Sequence, residues 1–265
     1  MRKAVLLALS LLIMVCQTVF ADNYDALWKQ YSVARKKDLP RTAMGILQQI
    51  EKKARAEKQY GSMLKAVFCK AQVMVNISPD SLEGEVRRIE AAELAVRDKK
   101  PVLAAVYQSA LGQLYHVYDE LKDGDGSKCR TYFSLSVKYP ELLAKTSAKG
   151  YEPLLVPGMD SHVFNDDLLH VLGLAAGEYD LLYRYYEKVG NRRAACLLAR
   201  LMLEETETNF ADSVNEENGE EDTCKFDELP IVRKLDSLMN VYADLPEVAE
   251  LAIYRYSLMY GSEQV

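Results

Sequence analysis

Apolar residues recur at intervals of three and four along almost the whole chain from Asn23 onwards. This spacing gathers them on one face of an α-helix, whereas a half-buried strand would show an alternation that is nowhere sustained here. Proline and glycine fall between the periodic segments and mark the turns that join them. The stripe is clearest within residues 41–58, where it consists of Ala43, Ile46, Leu47, Ile50 and Ala54. The sequence therefore predicts an all-α fold.

The same periodicity sets the limits of the predicted helices. They span residues 24–37, 41–58, 60–75, 82–97, a long segment after Pro101, and two final segments at 231–242 and 246–260. Residues 160–205 predict a helix-turn-helix that starts at Asp160 and Ser161 and breaks at Gly190 and Asn191. We expect about nine to eleven helices in all, joined by short turns.

Part of the chain has the spacing of a tetratricopeptide-type repeat. Leu111, Gly112 and Tyr115 fit the first helix of that repeat, and Phe133 with Pro140 fit the second approximately. Such repeats stack pairs of antiparallel helices, each against its neighbour, into an extended array. The sequence therefore favours a tetratricopeptide-like helical-repeat array, an α-α superhelix.

The best internal boundary lies within residues 145–160, which contain two glycines and two prolines. It divides the chain into N-terminal helical repeats at 22–148 and C-terminal helical repeats at 149–265. The second part carries a predicted acidic loop at 206–227.

The first 21 residues have the layout of a secretory signal peptide, with a charged start at Arg2 and Lys3, an apolar run, and a small residue at Ala21. The apolar run is shorter than the roughly 20 residues that span a bilayer. Cys16 raises the alternative of a lipoprotein, although Val15 stands where lipid attachment requires a small residue. We expect cleavage after Ala21, a periplasmic or otherwise exported chain, and no stable membrane insertion.

Loss of the leader changes the formal net charge from −6 to −8, because Arg2 and Lys3 are removed. This balance disfavours nucleic acid as a partner. Basic residues nevertheless outnumber acidic ones between residues 29 and 58, while residues 204–222 contain no lysine or arginine. These stretches are either solvated helix faces and an acidic loop, or the ends of a dipolar molecule whose basic end meets an anionic partner.

The cysteines that follow the leader show neither metal-site nor redox-motif spacing. Cys69 and Cys196 lie among apolar helical residues, so we expect both in the core. Cys129 and Cys224 lie in loop-like sequence, and a disulfide between them is an open alternative in an exported protein.

His162, Asp166 and His170 are spaced four apart, which would place them on one face of a single helix. Two imidazoles and a carboxylate can bind a divalent metal, so a metal-dependent enzyme is the alternative function. Against it, Asp166 suits the first turn of a helix, and no further ligand is evident. The sequence also lacks a phosphate loop, a nucleotide fingerprint, a GxSxG elbow and an HExxH motif. We therefore assign no catalytic, cofactor-binding or metal-binding residue and predict that the protein is not an enzyme.

Six short phrases carry a resemblance to a known family. They are YDALWKQ at 24–30, KKDLPRTA at 36–43, NISPDSLE at 76–83, YPELLAK at 139–145, NDDLLHVLG at 165–173 and GNRRAACLLA at 190–199. Together they resemble the N-terminal helical region of large alpha-2-macroglobulin-like proteins of Bacteroidetes-type bacteria. The resemblance implies an exported module associated with endopeptidase inhibitors, many of which trap proteases through a Cys-Gly-Glu-Gln thioester.

The chain departs from that family at the reactive group. None of the cysteines after the leader is followed by Gly-Glu-Gln, and the sequence Gly-Ser-Glu-Gln near the C-terminus has Ser262 in place of a reactive thiol. We interpret the chain as the helical module alone, either a truncated gene product or an independent relative. The expected function is a protein-interaction module without the thioester. Its expected partners are envelope proteins or macroglobulin-type domains, with proteases as a further candidate.

Overall fold

The computed structural model describes residues 24–122, 125–214 and 229–262. These residues form two compact units. Unit 1 contains the described residues up to Tyr132 together with Ala148–Val156, and unit 2 contains Phe133–Ser147 and the described residues from Pro157 onwards. The division into residues 22–148 and 149–265 remains a prediction about domains. The predicted signal peptide at 1–21, with Cys16, lies outside the described residues. The predicted acidic loop at 206–227 is wrong for residues 206–214, which belong to a helix that ends at Val214, and its remaining residues lie outside the described part of the chain.

Unit 1 is built from helices joined by short turns. They are α1 (residues 24–36), α2 (Pro40–Glu57), α3 (Tyr60–Ile77), α4 (Leu82–Val96), α5 (Pro101–Lys122) and the first part of α6 (Ser127–Ser136), with 3₁₀ helices at Pro79–Ser81 and Ala148–Tyr151. The boundary between the units falls within α6, after Tyr132.

Unit 2 is helical as well. Beyond the end of α6, its helices are α7 (Pro140–Leu143), a 3₁₀ helix at Met159–Phe164, α8 (Leu168–Ala176), α9 (Tyr179–Lys188), α10 (Arg192–Val214), α11 (Pro230–Val241) and α12 (Val248–Ser262). The described residues contain no β-strand, and their one isolated β-bridge joins Ser147 to Asp167. The all-α prediction is therefore confirmed for the described part of the chain.

The core of unit 1 follows from the apolar stripes of its helices. Every residue of the stripe predicted within residues 41–58 is buried in α2. Leu47 and Ile50 are fully buried, as are Leu64 of α3 and Ile89 of α4. Burying each such side chain stabilises the fold by about 1.5–3 kcal/mol, which is why the period of the stripe determines the packing.

The core of unit 2 forms around the small-residue face of α10. Ala195, Cys196 and Ala199 lie on this face, and they pack with Leu235 of α11 and Leu251 of α12. Small side chains let neighbouring helices approach closely, and the larger side chains of α11 and α12 fill the space between them. Gly173 likewise allows α8 and α9 to approach closely, since a Cβ atom at this position would overlap the side chain of Leu182.

The predicted helix start at Asp160 and Ser161 is wrong. These residues lie in the 3₁₀ helix, and α8 begins only at Leu168. The cause is a pair of residues with positive φ, Asn165 at 59° and Asp166 at 52°, which interrupt right-handed helical geometry. None of the described helices is both long enough and apolar enough to cross a membrane.

Candidate functional site

The residues proposed as metal ligands do not share one helix, so the premise of that hypothesis is wrong. His162 is exposed on the 3₁₀ helix, where its Nδ1 lies 3.1 Å from the carbonyl oxygen of Met159. Asp166 lies in the turn that follows, and His170 is buried in α8. Across residues 24–122, 125–214 and 229–262, no group of three or more His, Cys, Asp or Glu side chains is placed to hold a metal ion.

The structure instead gathers a buried polar network around Asp167. Asp167, His170 and Tyr186 are 3%, 2% and 1% exposed. As the N-cap of α8, Asp167 accepts a hydrogen bond at Oδ1 from the backbone N–H of His170, at 2.9 Å. The Tyr186 hydroxyl donates to the same carboxylate, 2.9 Å from Oδ1 and 2.8 Å from Oδ2. The carboxylate therefore ties the start of α8 to the last turn of α9.

The electrostatics of this network keep Tyr186 protonated. Burial raises the pKa of the Tyr186 phenol, and the neighbouring Asp167 carboxylate raises it further. A protonated phenol is a hydrogen-bond donor, which is what a buried carboxylate requires. Buried charged groups are tolerated where such hydrogen bonds satisfy them.

His170 has an arrangement that resembles part of a catalytic site. Its Nδ1 lies 3.1 Å from Oδ1 of Asp167, the contact that orients a histidine general base in a hydrolase triad. However, its Nε2 is buried, and no hydrogen-bonding partner for it exists among the described residues. Phe164 stacks on the ring at a centroid distance of 5.0 Å. The geometry thus supports a packed structural imidazole, held by Asp167 on one edge and by Phe164 on one face.

An open depression of about 550 Å³ lies over this network. Asp167 and Tyr186 contribute to its lining, together with His162, Tyr185, Val189 and Arg193 from the 3₁₀ helix, α9 and α10. The lining mixes an anionic carboxylate, a guanidinium, aromatic rings and an aliphatic side chain. Such a mixture suits the contact of a polypeptide better than the capture of a single small ion.

Two sets of contacts fix the wall of the depression at the start of α10. Asn191 donates from Nδ2 to the carbonyl of Val163 at 2.8 Å, and its Oδ1 accepts from the backbone N–H of Ala194 at 3.2 Å. Arg193 donates from Nε to Oε1 of Glu247 at 2.7 Å. The Arg193 guanidinium holds the pKa of Glu247 below its usual range, so this ion pair stays intact at neutral pH.

Exposed apolar side chains occur at the depression and on the neighbouring α7. Val189 lines the depression, and so does Ala144, the residue that ends α7. Leu142 of α7 and Tyr139, which immediately precedes α7, are exposed as well. We call Tyr139, Leu142 and Val189 the apolar rim.

An ion pair of 3.6 Å between Glu141 and Lys188 holds α7 beside the end of α9. Val189 is 54% exposed although it is a large aliphatic residue. Exposed apolar side chains grouped on one part of a surface mark a candidate protein-binding site.

The described cysteines are not set up as nucleophiles. Cys196 is fully buried as predicted, and burial raises its pKa to about 11. Cys69 is only partly buried, which corrects its assignment to the core, and burial raises its pKa as well. Cys129 lies in α6 and is buried, so its assignment to a loop is wrong. Cys224 lies outside the described residues, and the disulfide between it and Cys129 stays a prediction.

Of the three residues that the sequence suggested as metal ligands, only His170 belongs to the buried network. The sequence interpretation treated Asp167, like Asp166, as an acid in the first turn of a helix, although an aspartate just before an apolar helical run is the usual signal of an N-cap. Tyr186 lies 19 residues beyond Asp167 and gives no local signal of this contact. No protein family matches the chain, and neither does any curated protein or solved structure.

Proposed function

We propose that the protein is an exported, tetratricopeptide-like interaction module that docks on other envelope proteins or on macroglobulin-type domains. The observation that carries this proposal is the depression of unit 2, with its rigid polar floor and its apolar rim. Paired helices such as α2 with α3 and α8 with α9 support the repeat-like part of the proposal. The role is one of binding, and it requires no catalytic residue.

The floor of the depression suits recognition because it is already organised. Asp167 and Tyr186 are locked by buried hydrogen bonds, and Asn191 and Arg193 are fixed by partners on other elements. A surface held in its binding geometry loses little conformational entropy when a partner arrives. The exposed rim then supplies apolar area that gains free energy on burial, about 25 cal/mol per Å².

The resemblance to the helical region of alpha-2-macroglobulin-like proteins supports the choice of partners. In that family the helical region is part of a polypeptide that also carries macroglobulin β-sandwich domains. A module that lacks the thioester would contribute by positioning a larger partner or by recognising it. Protease-inhibitor activity is therefore the proposed context of this chain, and protease capture is not its proposed activity.

Site-specific photocrosslinking tests the proposal directly. A photoreactive phenylalanine analogue is placed at Leu142 or Val189 on the rim and, as a control, at Ile253 of α12. Ile253 is also apolar and is 62% exposed, but it belongs to α12 and not to α7 or the end of α9. Irradiation in envelope extract should give one adduct of the same mass from both rim positions and none from Ile253. Excess wild-type protein should compete the adduct away, and a Leu142→Asp/Val189→Asp variant should not.

Two results would contradict the proposal. One is the absence of any rim-specific adduct at concentrations where the protein remains folded. The other is an equal yield of the same adducts at Ile253, which would show general stickiness of exposed apolar residues.

A further inference from the structure

A strip of basic side chains runs along the outer surface of unit 1. It consists of Lys29 and Lys36 on α1, Lys37 in the turn that follows, and Arg41 in the first turn of α2, and all four are exposed. We call these residues the basic strip. Lys29 and Lys36 are seven residues apart on one helix and so lie about 10 Å apart along its axis. The exposed side chain of Val33 lies between them on the same face.

The cations of the basic strip are uncompensated. Elsewhere in the described chain basic residues often pair with carboxylates, as Lys70 does with Glu51 at 2.7 Å. In the parts of unit 1 that the structure describes, none of the four strip residues forms an ion pair. Asp38 is the one acidic residue within residues 29–41. Like charges held this close repel one another, so an anionic partner would relieve an unfavourable interaction.

Aliphatic side chains and acidic residues border the strip. Because α2 and α3 are equally long and are joined by a two-residue turn, the end of α3 lies beside the start of α2. Leu39 and Ile77 are therefore exposed at the same corner of the unit. Beyond Ile77 the chain carries exposed acids at Asp80 and Glu83. Apolar groups therefore lie beside the Arg41 end of the strip, and exposed acids follow Ile77 in the chain.

We propose that the basic strip binds an acidic polypeptide segment of a partner protein, one whose carboxylates alternate with aliphatic side chains. A single extended chain can contact the four cations without covering the surface around them, whereas a flat membrane would cover the neighbouring residues as well. The aromatic rings of α1 also do not suit a membrane surface, since Tyr24 and Tyr31 are buried and Trp28 is partly buried. This site lies in unit 1 and does not depend on the depression of unit 2.

The test uses a short fluorescent peptide of alternating glutamate and leucine, with its glutamine counterpart as the uncharged probe. Fluorescence anisotropy measures its binding to the purified protein at low and at high salt. The strip variant combines four substitutions, Lys29→Gln, Lys36→Gln, Lys37→Gln and Arg41→Gln. The control variant changes charge equally at exposed positions outside the strip, through Lys99→Gln, Lys145→Gln, Lys234→Gln and Arg233→Gln.

The proposal expects salt-sensitive binding of the acidic peptide, about tenfold weaker in the strip variant and within about twofold of wild type in the control. Circular dichroism melts confirm that both variants fold. Equal loss in both variants would overturn the proposal, because net charge alone would then explain binding. So would the absence of peptide binding to wild type. Binding of phosphatidylglycerol vesicles through the strip, without binding of the peptide, would overturn it in favour of a membrane partner. None of these results affects rim crosslinking, so the two proposals fail separately.

Discussion

Replacing Asp167 with alanine removes the N-cap of α8 and two side-chain hydrogen-bonding contacts at once. The carboxylate accepts from the backbone N–H of His170 and from the hydroxyl of Tyr186, and it lies against Nδ1 of His170. All three residues are buried, so water cannot replace the lost acceptor without opening the packing between α8 and α9. The substitution should therefore be among the most destabilising polar changes in unit 2.

The expected magnitude follows from the separate losses. Loss of an N-cap costs about 1 kcal/mol. Each buried donor left without an acceptor costs about 1–3 kcal/mol, and two such donors remain, on Tyr186 and His170. Because these losses share one carboxylate, they do not add fully, and we expect Asp167→Ala to lower the free energy of unfolding by about 3–5 kcal/mol. Asp167→Asn keeps one acceptor oxygen and should cost less.

Urea denaturation followed by far-ultraviolet circular dichroism measures the effect. Tyr186→Phe, which removes one hydrogen bond to a charged group, should cost about 1.5–3 kcal/mol. Asp180→Ala is the matched control, since Asp180 forms an exposed ion pair with Arg184 and should cost no more than about 0.5 kcal/mol. A loss below about 1 kcal/mol for Asp167→Ala, with an unchanged dependence on urea, would refute the reasoning.

Two further predictions concern unit 1. Burial alone would raise the pKa of Glu51, but hydrogen bonds from Lys70 and Arg55 outweigh it and hold the pKa below its ordinary value of 4.5. A carboxylate whose pKa is lower in the folded than in the unfolded state stabilises the fold at pH values above its unfolded-state pKa, and this stabilisation is lost as the pH falls through its folded-state pKa. The destabilisation caused by Glu51→Gln should therefore be present at pH 7 and should shrink below about pH 4.5. A loss of stability that does not depend on pH would contradict this. A Cβ atom at Gly61 would overlap the backbone of Tyr151 and Glu152, so Gly61→Ala should destabilise by about 1–3 kcal/mol or more. Gly45→Ala, in the open part of α2, should instead stabilise by about 0.5–1 kcal/mol. Denaturation followed by the fluorescence of Trp28, the single tryptophan, measures the change in the free energy of unfolding for both glycine substitutions. Equal changes would rule out the close approach of the Tyr151 and Glu152 backbone to Gly61.

Local periodicity was enough to predict the stripe of α2, because each of its members is buried by the same helical face. It failed at Asn165 and Asp166, where two short polar residues adopt positive φ and separate the 3₁₀ helix from α8. Asparagine and aspartate tolerate that conformation better than other residues, but nothing in the pattern of apolar residues reveals that they adopt it. The network of Asp167 and Tyr186 is a contact between helices, and such contacts leave no periodic signal in the sequence.

For the basic strip, the composition of the sequence predicts a basic region but not the contacts of the individual side chains. The excess of basic residues between 29 and 58 is visible in the sequence. The count does not show which of these side chains pair with a carboxylate or an aromatic ring and which remain exposed without such a partner. Arg55 pairs with Glu51 at 2.9 Å, and Lys53 lies 4.7 Å from the ring centroid of Tyr24. Lys36 and Lys37 have no such partner among the described residues and remain exposed. Burial and pairing depend on the packing of α1, α2 and α3, which composition does not encode.

The most direct test of the proposed interaction role is the affinity of the partner recovered by rim crosslinking. Equilibrium binding of that purified partner is compared among wild type, the Leu142→Asp/Val189→Asp variant and an Ile253→Asp control. We predict at least about tenfold weaker binding for the rim variant, because each substitution places a charge on apolar surface that the proposed interface would bury. For the control we predict binding within about twofold of wild type. Equal affinities of wild type and the rim variant would contradict the claim that the depression of unit 2 is a protein-docking surface.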